Sequence, residues 1–165
     1  PTAPDDLYGL MHLSREEILK DYINSERSLS ILRPTLIYGN GDTHNSYGPN
    51  RFFRQSQKDK VINIFGKGLD KRDHISVKDV CRAIYKITEK KISGITNVVT
   101  GKSYTFKHIA GLVKKYYSNE TKINYIKNNN QPSKRKYNPK KIIGILNKTI
   151  DLEIGIKNYF KGPKN

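Results

Sequence analysis

Short apolar, branched runs alternate with stretches of helical period along this chain, and that alternation limits the fold more than any other feature. Leu7, Leu10, Met11, Ile18 and Leu19 recur at helical spacing behind Asp5 and Asp6, which predicts a capped helix over 6–24. Residues 28–38 (SLSILRPTLIY) read as a strand interrupted at Pro34, and Gly39-Asn40-Gly41-Asp42 closes it as a turn. A short helix over 50–58, strands over 61–65 and 72–77, and a helix over 77–90 follow. A strand over 95–99, a helix marked by Phe106, Ile109, Val113 and Tyr116, and a strand over 123–126 continue the pattern. Asn128 to Pro132 reads as a loop, Pro139 as a first-turn helix proline, and 151–160 as the last helix. Strands alternating with helices indicate an α/β fold built on parallel pairing.

At 165 residues the chain suits one domain of ordinary size. Its longest apolar runs, such as Ile142 to Leu146, fall far short of the ~20 residues needed to cross a membrane. A single cysteine, Cys81, excludes an internal disulfide framework and argues against a Cys-based zinc site. No secretory or transit signal is visible, so a cytoplasmic protein is expected. The start at Pro1 rather than Met suggests a processed or truncated product.

The net charge of +16 is uneven: residues 83–165 carry 18 basic against 4 acidic groups. A basic half is the footprint expected of a nucleic-acid binder. Most of these cations are lysines scattered singly or in pairs, and the second half holds only Arg135 among arginines, whereas base and phosphate readers lean on the bidentate arginine fork. Nucleic acid is therefore an unlikely partner, although attraction to a small anionic substrate is compatible with either reading.

His12, His44, His74 and His108 show no metal-ligand spacing, and neither a P-loop nor a GxSxG elbow occurs, so no metal site is expected. Tyr8 and His12 lie four apart, hence on one face of the first helix. A phenol with a reference pKa of about 10 becomes a useful base near neutrality only when a nearby cation stabilises its phenolate. An ordinary amphipathic helix would carry the same pair. Residues 65–80 are dense in a different way. A glycine turn at Gly66-Lys67-Gly68 leads to Arg72-Asp73, a strand, and then Asp79 at a helix start. Arg72 could grip a diphosphate, or it could make a structural pair with Asp73 or Asp79.

In these segments the order of residues resembles the C-terminal half of the extended short-chain dehydrogenase/reductase family, the NAD(P)-dependent nucleotide-sugar epimerases and dehydratases. Pro4 to Gly9 followed by Glu16 is similar to the family's active-site helix. Leu32-Arg33-Pro34-Thr35-Leu36-Ile37-Tyr38-Gly39 is similar to the strand that passes the nicotinamide. Ile64 to Gly68 with Arg72 to Val80 is similar to the substrate-domain signature, the most specific of the matches. Thr96 to Gly101, Tyr137 to Lys141 and Gly155-Ile156 fit the closing segments.

The resemblance implies a reaction in which Tyr8 removes a proton from a sugar hydroxyl while hydride passes to NAD or NADP. It gives His12 the place of the family's lysine beside the tyrosine. Tyr8, His12, Pro34 and Thr35 would border the coenzyme. Asn50, Phe65, Arg72 and, more weakly, Arg135 would hold a nucleoside-diphosphate sugar. The implied fold is the end of a Rossmann-type parallel sheet over 1–49 and mainly a substrate-binding lobe over 50–165, with the Gly-rich coenzyme cradle outside this chain. A homodimer is implied for the full-length form. Two other functions remain open: a degenerate, non-catalytic sugar-nucleotide-binding module, suggested by His12 and the missing glycine motif, and a basic nucleic-acid-binding domain.

Overall fold

In a computed structural model of the chain, residue 4 and residues 6–23, 28–42, 45 and 48–159 are described. Asp6 caps the first helix, α1 (Leu7–Tyr22), its Oδ1 accepting the Gly9 N–H at 2.6 Å. The predicted partner Asp5 and His44 lie outside the described residues. The 28–38 run forms two strands, β1 (Ser30–Pro34) and β2 (Leu36–Tyr38), broken at Thr35 next to the proline that the sequence flagged. Then come α2 (Gly48–Lys58), β3 (Val61–Phe65), β4 (Lys71–Ser76), α3 (Val77–Glu89) and β5 (Gly94–Val98). The chain continues through β6 (Ser103–Thr105), α4 (Phe106–Tyr117), β7 (Lys122–Ile126), α5 (Lys140–Leu146) and α6 (Leu152–Tyr159).

The break between β1 and β2 is where the chain changes partners. β1 pairs in parallel with β5, from Ser30 opposite Gly94 to Pro34 opposite Val98. β2 pairs in parallel with β4, from Leu36 opposite His74 to Tyr38 opposite Ser76. Thr35 joins the two pairs, its N–H donating to Val98 O at 3.2 Å and its hydroxyl to Asp73 O at 2.9 Å. β6 adds antiparallel to β4, and β3 with β7 forms a separate parallel pair.

Two apolar clusters hold these layers. One gathers Ile75, Ala83, Ile87, Val98, Val99, Ile142 and Leu146, with Leu32 and Ile37 packed against them, and so seats α3 and α5 on the β1–β5 sheet. The other gathers Tyr38, Phe52, Ile62, Ile64, Ile109, Val113, Leu152 and Ile156 under α2, α4 and α6. Both draw residues from before and after position 50. α1 contributes to neither. None of its residues is buried, and Leu7, Met11 and Ile18 stay exposed although their spacing marks an apolar stripe.

Candidate functional site

Two tie points fix the direction of α1. Near the start of β1, Lys20 and Ile23 meet Leu29, Ile31, Gly94 and Ile95 around a groove of about 420 Å³. Near its end, Glu16 accepts from the Arg33 guanidinium, through Nε at 2.7 Å and also through Nη2. This fork-to-fork pair holds the Glu16 carboxyl below its ordinary value, against the opposing effect of burial. α1 therefore runs antiparallel to β1. Tyr8 lies eight residues before Glu16, about 12 Å further along at 1.5 Å per residue. That carries it past Pro34, to the carboxyl side of the β1–β5 pair, where open α/β sheets hold their ligands. The groove at the amino ends of the strands lies at the opposite end. Tyr8 itself is exposed, and the His12 ring stands edge-on to it with centroids 4.5 Å apart.

The strand register brings other predicted residues to the same level. Leu36 faces His74, and one residue earlier the Thr35 hydroxyl bonds to the carbonyl of Asp73, the residue that follows Arg72. Pro34 is exposed at this point. Arg72 contacts neither of the acids considered for it. Its Nη1 donates to Lys71 O at 3.0 Å and Ser133 O at 3.2 Å, its Nη2 donates to Ser133 Oγ at 2.7 Å, and Asp70 stands 3.8 Å away. Asp73 instead turns to the other face of β4 and accepts from Thr100 N, Thr100 Oγ1 and Gly101 N. Burial raises its carboxyl above the ordinary range, and these three donors oppose that rise. Asp79, also buried, pairs with Arg82 at 2.8 Å and accepts the Ile150 N–H at 2.7 Å. The two acids of the dense 65–80 segment are thus structural ties.

Arg135 joins Arg72 through the backbone, its N–H donating to Lys71 O at 3.4 Å. Phe65, half exposed at the end of β3, lies under the Arg51 guanidinium at 5.4 Å. Asn50 is buried at the start of α2 with its amide engaged at both ends. Its Oδ1 accepts the Gly39 N–H at 3.1 Å and its Nδ2 donates to Gly39 O at 2.7 Å. It therefore holds the turn after β2 rather than presenting a free amide. Gly39 is required there twice over: its φ is +142°, and a Cβ would stand 2.5 Å from Val77 Cγ1.

Sequence reasoning missed Asp70 and Ser133. Their signals were available but weak: an acid two residues before Arg72, and a serine set between Pro132 and a run of cations. Among the described residues, no group of three His, Cys, Asp or Glu side chains gathers as a metal site, and no helix is long and apolar enough to cross a membrane.

Comparison with known proteins adds the family. The profile described as NAD dependent epimerase/dehydratase family matches residues 1–99. A GDP-6-deoxy-D-talose 4-dehydrogenase of Aggregatibacter actinomycetemcomitans is 32% identical over 111 residues, 67% of this chain and 37% of that protein. A dTDP-L-rhamnose 4-epimerase of Burkholderia thailandensis is 28% identical over 120 residues, 69% of this chain and 33% of that protein. Among solved structures, the ADP-L-glycero-D-manno-heptose-6-epimerase of Helicobacter pylori superposes with a TM-score of 0.81 at 25% identity, covering 95% of this chain and 51% of that one. The Thermus thermophilus UDP-glucose 4-epimerase, solved with NAD, gives 0.84 at 20% identity, covering 96% and 54%. The chain thus spans about a third of the curated relatives it matches and about half of these solved structures.

Proposed function

We propose that this chain, which belongs to the NAD dependent epimerase/dehydratase family, is the sugar-nucleotide-gripping portion of an NAD(P)-dependent nucleotide-sugar epimerase or dehydratase. The observation that supports the reading is the Thr35–Asp73 bond, which joins the strand carrying Pro34 and Thr35 to the strand carrying Arg72, with α1 tied to β1 by Glu16–Arg33. The nicotinamide end of a dinucleotide fits the residues present, since Pro34 and Tyr8 are both open to a ligand at the carboxyl side of the strands. Its pyrophosphate finds no glycine cradle among the described residues: of the two strand–Gly-x-Gly turns, one has Gly39 packed on Val77 and the other has Gly68 packed on Ile64 and Lys107. That end belongs to protein outside this chain. Bound NAD(P) supplies hydride transfer at a sugar carbon.

The chain's own residues hold the substrate and move its proton. Tyr8 takes the proton of the reacting hydroxyl. His12, in van der Waals reach of the phenol ring, modulates it as a cation when protonated. Arg72 grips the diphosphate, Arg135 adds charge beside it, Phe65 offers a ring face to the nucleotide, and Asn50 shapes the neighbouring turn. In this reading residues 1–49 close the Rossmann sheet and 50–165 form mainly the substrate lobe. The uncovered apolar residues of α1 support a homodimer of the full-length form, and a cytoplasmic setting suits such an enzyme.

Tyr8→Phe tests the reading. In protein carrying the coenzyme-binding half, turnover of UDP-, GDP-, CDP- and dTDP-sugars, followed by chromatographic separation of the product sugar nucleotide, should fall by about 10²–10⁴-fold. Unchanged turnover removes Tyr8 as the base. The second reading, a binding module without hydride chemistry, is favoured by His12 standing where the family has lysine. In that case sugar nucleotides would bind without turnover, and His12→Lys would restore none.

A further inference from the structure

Arg72 lies in β4 opposite Tyr104 of β6, and the donors of its guanidinium can be followed one by one. Nη1 gives both of its protons to carbonyls, Lys71 O at 3.0 Å and Ser133 O at 3.2 Å. Nη2 gives one to Ser133 Oγ at 2.7 Å. Nε–H and the second Nη2–H have no partner among the described residues. Ser133 thus takes the end of the guanidinium, between Nη1 and Nη2. The pair left over is its side, two parallel donors of the kind that holds a carboxylate or a phosphate bidentately. Arg33 uses this same pair, Nε and Nη2, on the Glu16 carboxylate.

Ser133 is itself fixed by bonds that do not involve Arg72. Its carbonyl accepts the Lys71 N–H at 2.9 Å. Two residues on, the Arg135 N–H donates to Lys71 O at 3.4 Å, and Arg135 O accepts from Ser103 Oγ at 2.7 Å. These ties to β4 and β6 place the serine backbone. Asp70 places the hydroxyl: its Oδ1 accepts from Ser133 N at 3.0 Å and from Ser133 Oγ at 2.8 Å. A hydroxyl has one proton, so with that proton on Asp70 the oxygen turns a lone pair to Arg72. The Ser133 N–H and hydroxyl in turn hold the Asp70 carboxyl below its ordinary value, against the effect of burial. Asp70 stands 3.8 Å from Nη2, beyond hydrogen-bond range, so the acid engages the serine and leaves the arginine's side open.

We propose that Ser133, oriented by Asp70, is the positioning residue of the diphosphate grip: it occupies the end of the Arg72 guanidinium so that the Nε–H and Nη2–H side is presented to the diphosphate oxygens. The inference rests on the reading of Arg72 as the diphosphate grip. Ser133 acts through Arg72 and its hydroxyl touches no ligand atom. Without that hydroxyl the guanidinium loses its fixed orientation, and the freed Asp70 carboxylate competes with the ligand for the same two donors.

Titration of the full chain with inorganic pyrophosphate tests this, read by calorimetry and by the Arg72 Nε–H signal in a proton–nitrogen NMR spectrum. That signal is identified by its loss in Arg72→Lys. Pyrophosphate should shift it, since the ligand accepts that proton. Ser133→Ala should weaken pyrophosphate binding by about tenfold, the effect of one hydrogen bond to a charged group. Ser133→Thr, which keeps the hydroxyl, should bind as the native chain does. A signal left unmoved by pyrophosphate, when Arg72→Lys weakens binding, overturns the presented side and leaves the grip reading standing. So does unchanged affinity in Ser133→Ala, or a loss in Ser133→Thr as large as that in Ser133→Ala. Unchanged affinity in Arg72→Lys, or no binding by the native chain, removes the grip reading and the positioning role with it.

Discussion

His74 is the side chain of this fold that acid should find first. It sits in β4 with 1% of its surface exposed, edge-on to Phe106 with centroids 5.9 Å apart. Nδ1 lies 3.3 Å from Arg72 O, while Nε2 has no hydrogen-bond partner among the described residues. A methyl built on Gly48 would stand 3.6 Å from that nitrogen, so the α2 backbone closes over it. Burial, joined by the nearby Arg72 charge, lowers the imidazole pKa from 6.5 to about 4. Between those values the unfolded chain takes up a proton that the folded chain refuses, so folding stability falls as pH drops from 6.5 and levels off below about 4. At about 1.4 kcal/mol per pH unit the whole interval comes to about 3 kcal/mol, of which about 2 kcal/mol is lost by pH 5. Glu16 and Asp70, held low, and Asp73, raised, add their own slopes near pH 4. The measurement is therefore the difference between the native chain and His74→Leu. Urea unfolding followed by far-ultraviolet circular dichroism suits a chain without tryptophan. The variant starts lower at pH 7.5 for want of the Nδ1 contact, and the native chain should lose about 2 kcal/mol more than it does by pH 5. A difference constant to within about 0.5 kcal/mol from pH 7.5 to 5 refutes the reasoning.

Gly155→Ala should cost about 1–3 kcal/mol of stability, because its Cβ would fall 1.9 Å from Tyr38 Oη. Tyr38→Phe removes that oxygen, which is buried without a hydrogen-bond partner among the described residues, and should recover part of the loss in a double-mutant cycle of thermal unfolding; strict additivity would count against the contact. Asp73→Asn turns an amide toward three N–H and O–H donors and should cost about 1–3 kcal/mol, with faster hydrogen exchange at Thr100 and Gly101. Native-like exchange at those two amides would show that the carboxylate does not hold the turn.

The helices and most strands were legible because their signals are local. Asp6 and the apolar spacing after it marked α1 to within two residues at each end, and Pro34 marked the partner change in the long strand. β6 was not legible: three residues are too few for an alternation, and Ser103–Thr105 is a strand only because β4 lies beside it. α2 starts at Gly48, two residues before the predicted point, since the preceding turn is held through Asn50 and Gly39 rather than by a local cap. Pro139 caps α5 from just outside instead of opening its first turn. The candidate site divides in the same way. Arg72 could be singled out from its segment, but its partner Ser133 is 61 residues away, and residue order cannot report which carbonyl a guanidinium will reach. The apolar stripe of α1 reads as core-facing, yet none of the described residues buries it, because periodicity states that a face wants a cover and not where the cover comes from.

Among the described residues, no strand pairs with the next one along the chain. Ser30 waits for Gly94, Leu36 for His74, Lys71 for Thr105 and Val61 for Lys122. During synthesis β1 must therefore leave the ribosome and remain solvated until β5 has been made, seconds later at roughly 5–20 residues per second. Loops of this span close slowly and leave unpaired strands exposed meanwhile, so the nascent chain is a natural client for chaperones, and its yield should depend on translation speed and temperature more than its final stability does.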